Sequence, residues 1–340
     1  MTGNGSGSLQ ANRPHGLVPA PDDELLRSTV DALVEVGGTS VAAILLYGSR
    51  VQNSSPDRWS AYDFLLITDS YSRFFKSLGP KAHRQRPPWL LTAVSHILPP
   101  NVISFGMGSN GLPVAKCAVV TPRHFREALG PRSRDHFLKG RVVQKLALLW
   151  SRSPAEEERV ISALREAREG IVRWVRPFLA GDFSLELFSE TMLRVSYRGE
   201  TRPESSDRVR QVVLAQKDTL MGIAGEALAA AVERGEVVCD SGSYRWRRPP
   251  GKAIRAVYDL YFAVSKARAT ARWLKYMITF DGWMDYIIKK IQRRAGFEVE
   301  VVERERRWPV LFLWPKLFRV LGALREAGPP SSSGNEEELE

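Results

Sequence analysis

The chain has 340 residues, 44% of them hydrophobic, enough for two folded domains or for one domain with a large appendage. Its 49 Lys and Arg outnumber 38 Asp and Glu, a net charge of +11, so the expected partners are anionic: nucleotide, nucleic acid or an acidic membrane surface. Two distant cysteines, Cys117 and Cys239, exclude a disulfide framework and a thiolate metal centre, and no apolar run is long enough to predict a membrane span.

Residues 1 to 22, rich in Gly, Ser, Pro and Asn, are expected as a disordered tail without the basic start and apolar core of a signal peptide. "DDELLRSTVDALVEV" predicts a helix with Asp22 or Asp23 as its cap. "TSVAAILLYGS", "YDFLLIT", "NVISFGM" and "AKCAVVT" are short apolar runs bounded by turn residues, about four strands, so residues 35 to 125 read as a mixed sheet with helical cover. From 123 to 180 the pattern turns helical, as in "ERVISALREAREGIVRWVRPFL". "DRVRQVVLAQKDTL" and "GEALAAAVERG" predict two helices, and "EVVCDSGSYRWRR" a hairpin about a Ser-Gly-Ser turn, a winged-helix-like order. A last helical region precedes "RERRWPVLFLWPKLFRVLGALRE" at 304 to 326. The expected class is α+β: a mixed-sheet domain over 23 to 150, a mostly helical domain over 151 to 300, an amphipathic segment over 301 to 327 and an acidic disordered tail over 328 to 340.

Chemistry is first suggested by "LLYGSRVQNSSPDRWSAYDFLLI". Nucleotidyltransferases of the polymerase-beta type place a Gly-Ser pair after a strand, where backbone amides and a hydroxyl face a triphosphate, and carboxylates on the next strand hold Mg²⁺. Gly48, Ser49 and Asp63 have this spacing, but Ala61 and Leu65 stand where a paired second carboxylate would be. Taken alone, the pattern favours an ordinary turn and a strand-edge charge, since such short patterns recur by accident. Whether Asp57 or Asp69 adds a carboxylate is also open, and the five histidines show no metal-ligand spacing.

Further fragments extend the pattern. "YGSRVQ", "AYDFLLITDS" with its single aspartate, "PPNVISFG", "AKCAVV", "HFLKGRVVQKLALL" and "SKARATARWLKYMITFDGWMDYIIKK" follow one another over about residues 40 to 325. In this order they resemble the mitochondrial-type phosphatidate cytidylyltransferases, the translocator assembly and maintenance family, which make CDP-diacylglycerol. Two departures stand out: Arg50 replaces a small residue in the turn, and "YSRFFKSLG" lacks the family's histidine-containing loop.

The resemblance implies a polymerase-beta-type nucleotidyltransferase domain, a winged-helix domain and a membrane-contacting C-terminal helix. It implies CTP and phosphatidate as substrates, with the triphosphate over Gly48 and Ser49 and Mg²⁺ on Asp63. Lys116, Arg141 and Lys145 would be the cations that bring two anionic reactants together, and Lys275, Tyr286 and Lys289 second-tier candidates. In the 304 to 326 segment, Trp308, Phe312, Trp314, Lys316, Phe318 and Arg319 mix aromatic and basic character as an interfacial helix on anionic lipid does, while the residues by themselves leave a core helix closing the second domain equally open. The expected location is the cytoplasm, peripheral on the inner face of the cytoplasmic membrane. Two alternatives remain: a nucleotidyltransferase with another acceptor, nucleic acid or a small molecule, and a non-catalytic nucleic-acid-binding protein. Nucleic acid ranks behind lipid as a partner, because the C-terminal aromatics cluster with aliphatics and do not interleave with a basic groove.

Overall fold

The computed structural model of the chain describes residues 13–52, 61–78, 86–108, 113–199 and 206–280, with Trp283, Met284, Ile288 and Gln292 beyond them. The chain divides into two compact units, Met1–Asp281 and Gly282–Glu340, and every element below belongs to the first. It is a mixed α+β structure.

The first half is built on a six-stranded mixed sheet. Its strands are β1 (Leu17–Val18), β2 (Val41–Tyr47), β3 (Tyr62–Thr68), β4 (Asn101–Met107), β5 (Pro113–Val120) and β6 (Leu146–Ser151), in the order β1-β6-β2-β3-β5-β4. β2 reads VAAILLY without alternation because helices cover both its faces, and six of its seven residues are buried. Ile44, Leu45 and Leu46 are completely buried; each contributes about 2–3 kcal/mol of transfer free energy. One face of the sheet packs on α1 (Glu24–Gly37), α3 (Tyr71–Ser77) and α4 (Pro88–Ile97) through Leu33, Phe74 and Leu91. The other packs on α5 (Pro122–Leu129), α6 (Phe137–Val142) and α7 (Pro154–Glu169) through Phe125, Leu138 and Leu164. A four-residue helix, α2 (Ser49–Gln52), follows β2. Local signals start these helices: Asp23 accepts the Leu26 amide at 3.1 Å, and Ser70, Thr121 and Ser153 cap α3, α5 and α7, the last two followed by proline.

The second half packs α8 (Ile171–Val175), α9 (Leu185–Ser196), α10 (Ser206–Ala215) and α11 (Lys217–Glu233) around Phe188, Met192, Ile223 and Leu228. Against them lies a three-stranded sheet of β7 (Asp182–Phe183), β8 (Val237–Asp240) and β9 (Ser243–Trp246), ordered β7-β9-β8. The hairpin turns on Ser241 and Gly242, both at positive φ (48° and 83°), the geometry a two-residue turn needs. A long helix, α12 (Lys252–Thr279), runs from this core to the edge strand β4, where Thr279 Oγ1 donates to the Val102 carbonyl at 2.8 Å.

Three features differ from the sequence reading. "LALLWS", inside the stretch read as helical, is strand β6, paired with both β1 and β2; a short apolar run carries no periodicity that separates strand from helix. Residues 13 to 18, read as part of the disordered tail, include β1, with Leu17 buried. The two helices over 206 to 233 break at Gln216 rather than after Leu220. The cause is tertiary: the buried Gln216 side chain is spent on the Lys145 amide (3.0 Å) and on Gln144 (3.4 Å).

Candidate active site

The Gly-Ser turn and Asp63 meet at one end of the sheet. β2 pairs antiparallel with β3 so that Tyr47 faces Asp63, and β3 pairs parallel with β5 so that Asp63 faces Lys116. Lys116 in turn faces Ser104 on β4. Directly paired residues point to the same side of a sheet, so Tyr47, Asp63, Lys116 and Ser104 form one polar row, on the face covered by α5, α6 and α7. The Lys116 ammonium donates to Asp63 Oδ1 at 3.5 Å, and both side chains remain partly exposed, 18% and 26%. Cys117, the next residue, points to the opposite face; burial, and then the Asp63 charge, push its thiol pKa up, which removes it as a nucleophile.

Gly48 is required twice over. Its φ is +80°, and a Cβ there would stand 2.6 Å from Asp63 Oδ2. The absence of a side chain thus lets the turn close directly over the carboxylate. Ser49 begins α2, and the Val51 and Gln52 amides close the turn onto the Gly48 carbonyl at 3.1 Å. Arg50, the departure in this turn, folds away from Asp63: its guanidinium lies 4.8 Å from the Tyr62 ring, and Tyr62 packs on the other face of the sheet. The Tyr62 hydroxyl donates to Asp23, the cap of α1, so Arg50 belongs to a structural cluster behind the turn.

The remaining sequence candidates fall in three places. Leu46 pairs with Ala147, so two positions further along each strand Gly48 and Lys145 share one end of the sheet. Lys145 is held there by its backbone bond to Gln216. Arg141 lies on α6, which leads into Lys145, with its guanidinium 4.8 Å from the Phe137 ring. Gly140 lets α6 approach α9 closely, since a Cβ there would stand 3.3 Å from the Ser196 carbonyl. Lys275 is elsewhere: on α12, buried, its ammonium donates to the carbonyls of Pro100 (2.8 Å), Val94 (3.4 Å) and Leu98, closing the C-terminal end of α4. Asp69 ends up beyond the far end of β3, about 20 Å along the strand from Asp63, ion-paired with Arg152 at 2.6 Å; it shares no metal with Asp63. Tyr286, Lys289, Asp57 and the membrane-contact residues Trp308, Phe312, Trp314, Lys316, Phe318 and Arg319 lie outside the described residues.

One cluster escaped the sequence reading. Asp135, buried just before α6, accepts from Arg268 at 3.0 Å and from Arg272, and its Oδ1 accepts the Phe137 amide at 3.2 Å. The Arg272 guanidinium lies 5.0 Å from the same Phe137 ring that Arg141 approaches. This network ties α12 to α6 and so fixes the helix that carries Arg141. Its only sequence signal was a pair of arginines four apart on one helix, too common a pattern to single out.

Among the described residues no group of three or more His, Cys, Asp or Glu side chains could hold a metal by itself. Mg²⁺, however, accepts one or two carboxylates together with substrate phosphates and water. Asp63 meets that need: it is partly exposed, and the turn beside it has no side chain at Gly48 to bar a phosphate. No family model matches the chain, and no curated protein matches it.

Proposed function

We propose that the chain is a nucleotidyltransferase that moves CMP from CTP to phosphatidate, giving CDP-diacylglycerol and pyrophosphate. The observation that carries this reading is the closure of the Gly48-Ser49 turn onto Asp63, with Lys116 as the carboxylate's neighbour. The mixed sheet supports a polymerase-beta-type domain. Helix α8, strand β7, three helices and a hairpin, with β9 between β7 and β8, support a winged-helix unit in the second half.

In this reading the triphosphate lies over the turn, and Lys116 and Lys145 at the same end of the sheet offset its charge. Asp63 would hold Mg²⁺ together with phosphate oxygens, and the ion supplies charge neutralisation at the reacting phosphoryl group. An oxygen of the phosphatidate phosphate attacks the α phosphorus, the bond to the β phosphate breaks, and pyrophosphate leaves. A phosphate monoester, with a second pKa of about 6, is largely dianionic at neutral pH and needs no strong base. The chain's contribution is therefore position and electrostatics. Arg141, with a planar fork suited to phosphate, is assigned to the lipid phosphate. Contact with the bilayer is assigned to residues 304 to 326 on their sequence alone. Among the described residues no helix is long and apolar enough to cross a membrane.

The test is pyrophosphate release by the purified full chain with CTP, Mg²⁺ and phosphatidate vesicles, beside the Asp63→Ala variant. Release that requires phosphatidate and disappears in the variant supports the proposal. Release with an oligonucleotide in place of the vesicles would move the acceptor to nucleic acid, which the helix-and-hairpin unit would suit. No release with any of the four nucleotides would overturn the enzyme reading.

A further inference from the structure

A cavity of about 510 Å³ opens between α5, α7, α8 and α12, and none of Gly48, Ser49, Asp63, Lys116, Arg141 or Lys145 lines it. Lys139 reaches it from α6. Two positions on a helix are about 200° apart around its axis, so Lys139 and Arg141 address different sides of α6. The cavity is a separate place from the sheet edge.

Its charges are unbalanced. Arg126, Lys139, Arg173 and Arg234 line it against Glu166 and Glu169. Arg234 is engaged with Glu236 at 2.8 Å, and Glu166 accepts from the Ser162 hydroxyl at 3.4 Å. Arg126, Lys139 and Arg173 make no ion pair or side-chain hydrogen bond among the described residues. The Tyr261 ring lies 5.8 Å from the Lys139 ammonium. Burial, with Arg173 adding to it and Asp135 opposing, brings the Lys139 pKa down to about 8, so at neutral pH the side chain is still mostly charged. A part-buried ammonium with no directly paired anion is costly, and a bound anion would reduce that cost.

We propose that this cavity binds a small phosphate monoester with an apolar or aromatic body. The phosphate sits among Lys139, Arg126 and Arg173, and the body lies against Trp174, Tyr258 and Tyr261. Three cations on three different helices suit a dianion with three acceptor oxygens better than a single carboxylate, which one guanidinium fork would satisfy. Most of the rest of the wall, including Leu129, Ala163 and Val257 but not Ser133, is apolar, as in sites that take a ligand body. The proposal stands independently of the cytidylyltransferase reading.

The experiment is calorimetric titration of the full chain with phenyl phosphate, inorganic phosphate and benzoate, repeated on Lys139→Met, Arg173→Gln and Asp63→Ala. Phenyl phosphate is expected to bind with a Kd of about 1 mM or tighter. Inorganic phosphate and benzoate should bind more weakly. Lys139→Met and Arg173→Gln should each lose about tenfold, a change of roughly 1.4 kcal/mol, and Asp63→Ala nothing. If Lys139→Met fails to fold, Arg173→Gln carries the same expectation. No binding to the unmodified chain, benzoate binding as tightly as phenyl phosphate, or unchanged binding in the folded variants would overturn the proposal. Equal loss in Asp63→Ala would place the binding at the sheet edge and overturn it too.

Discussion

Gly48→Ala separates the geometry of the turn from its stability. The new Cβ would stand 2.6 Å from Asp63 Oδ2 and 3.3 Å from its Cβ and Cγ, so the carboxylate is about 0.8 Å short of ordinary van der Waals contact. It must swing away or the turn must open. The positive φ adds a backbone cost of about 1–2 kcal/mol, partly offset by about 0.4–1 kcal/mol from a less flexible unfolded chain. Gly181→Ala is the control: its φ is +73°, and a Cβ there would meet nothing within 4 Å. Both variants should lose about 1 kcal/mol, a fall in Tm of roughly 2–4 °C. Only Gly48→Ala should lose activity, about 100-fold in kcat/KM, the scale on which a misplacement near 1 Å is felt. The assay is pyrophosphate release beside thermal melting. A Gly48→Ala enzyme that melts like the control yet keeps more than about a third of the rate would refute the idea that Asp63 must sit against the turn. Equal loss of rate in Gly181→Ala would show a global effect instead.

Asp135→Asn removes the one carboxylate that both Arg268 and Arg272 address; breaking a buried pair in this way should cost about 3 kcal/mol or more, seen as a lower urea midpoint, and a loss under about 1 kcal/mol would show the network to be ornamental. Lys275→Met leaves the Val94, Leu98 and Pro100 carbonyls without their shared donor; stability should fall by about 1–3 kcal/mol while the rate per folded molecule stays within about twofold, and a rate loss that stability does not explain would return Lys275 to the site. His136 is fully buried, and its imidazole is held neutral, well below the usual pKa, by burial first and by the Lys139 and Arg141 charges next. Below a pH of about 6.5 the unfolded chain therefore takes up a proton that the folded chain does not, so stability declines toward acid by up to about 1.4 kcal/mol per pH unit. His136→Phe should remove that slope between about pH 6.5 and 5; an unchanged slope in urea titrations would assign it to other groups.

Much of the sheet could be read directly from the chain. β2, β3, β4 and β5 follow from apolar runs bounded by turn residues, and α1 from its helical spacing behind Asp23, because these signals are local. The hairpin at Ser241-Gly242 was legible for the same reason, since two residues in sequence hold the turn's whole conformational demand. β6 was not legible: six apolar residues become a strand only because β2 and β1 lie on either side of them.

The candidate site divides along the same line. The residues Gly48, Ser49 and Asp63, and their spacing, are properties of the sequence alone, and so is the excess of positive charge. That Asp63 stands against Gly48 and pairs with Lys116, that Lys145 shares their end of the sheet and that Lys275 closes a helix instead was decided by the tertiary structure. Strand register is the reason. It is set by which hydrophobic faces bury together across the whole sheet, and shifting one strand by one residue would turn Asp63 or Lys116 to the opposite face. The Asp135 network and the Lys139 cavity likewise join helices more than 100 residues apart in the chain, where no local pattern points from one partner to the other.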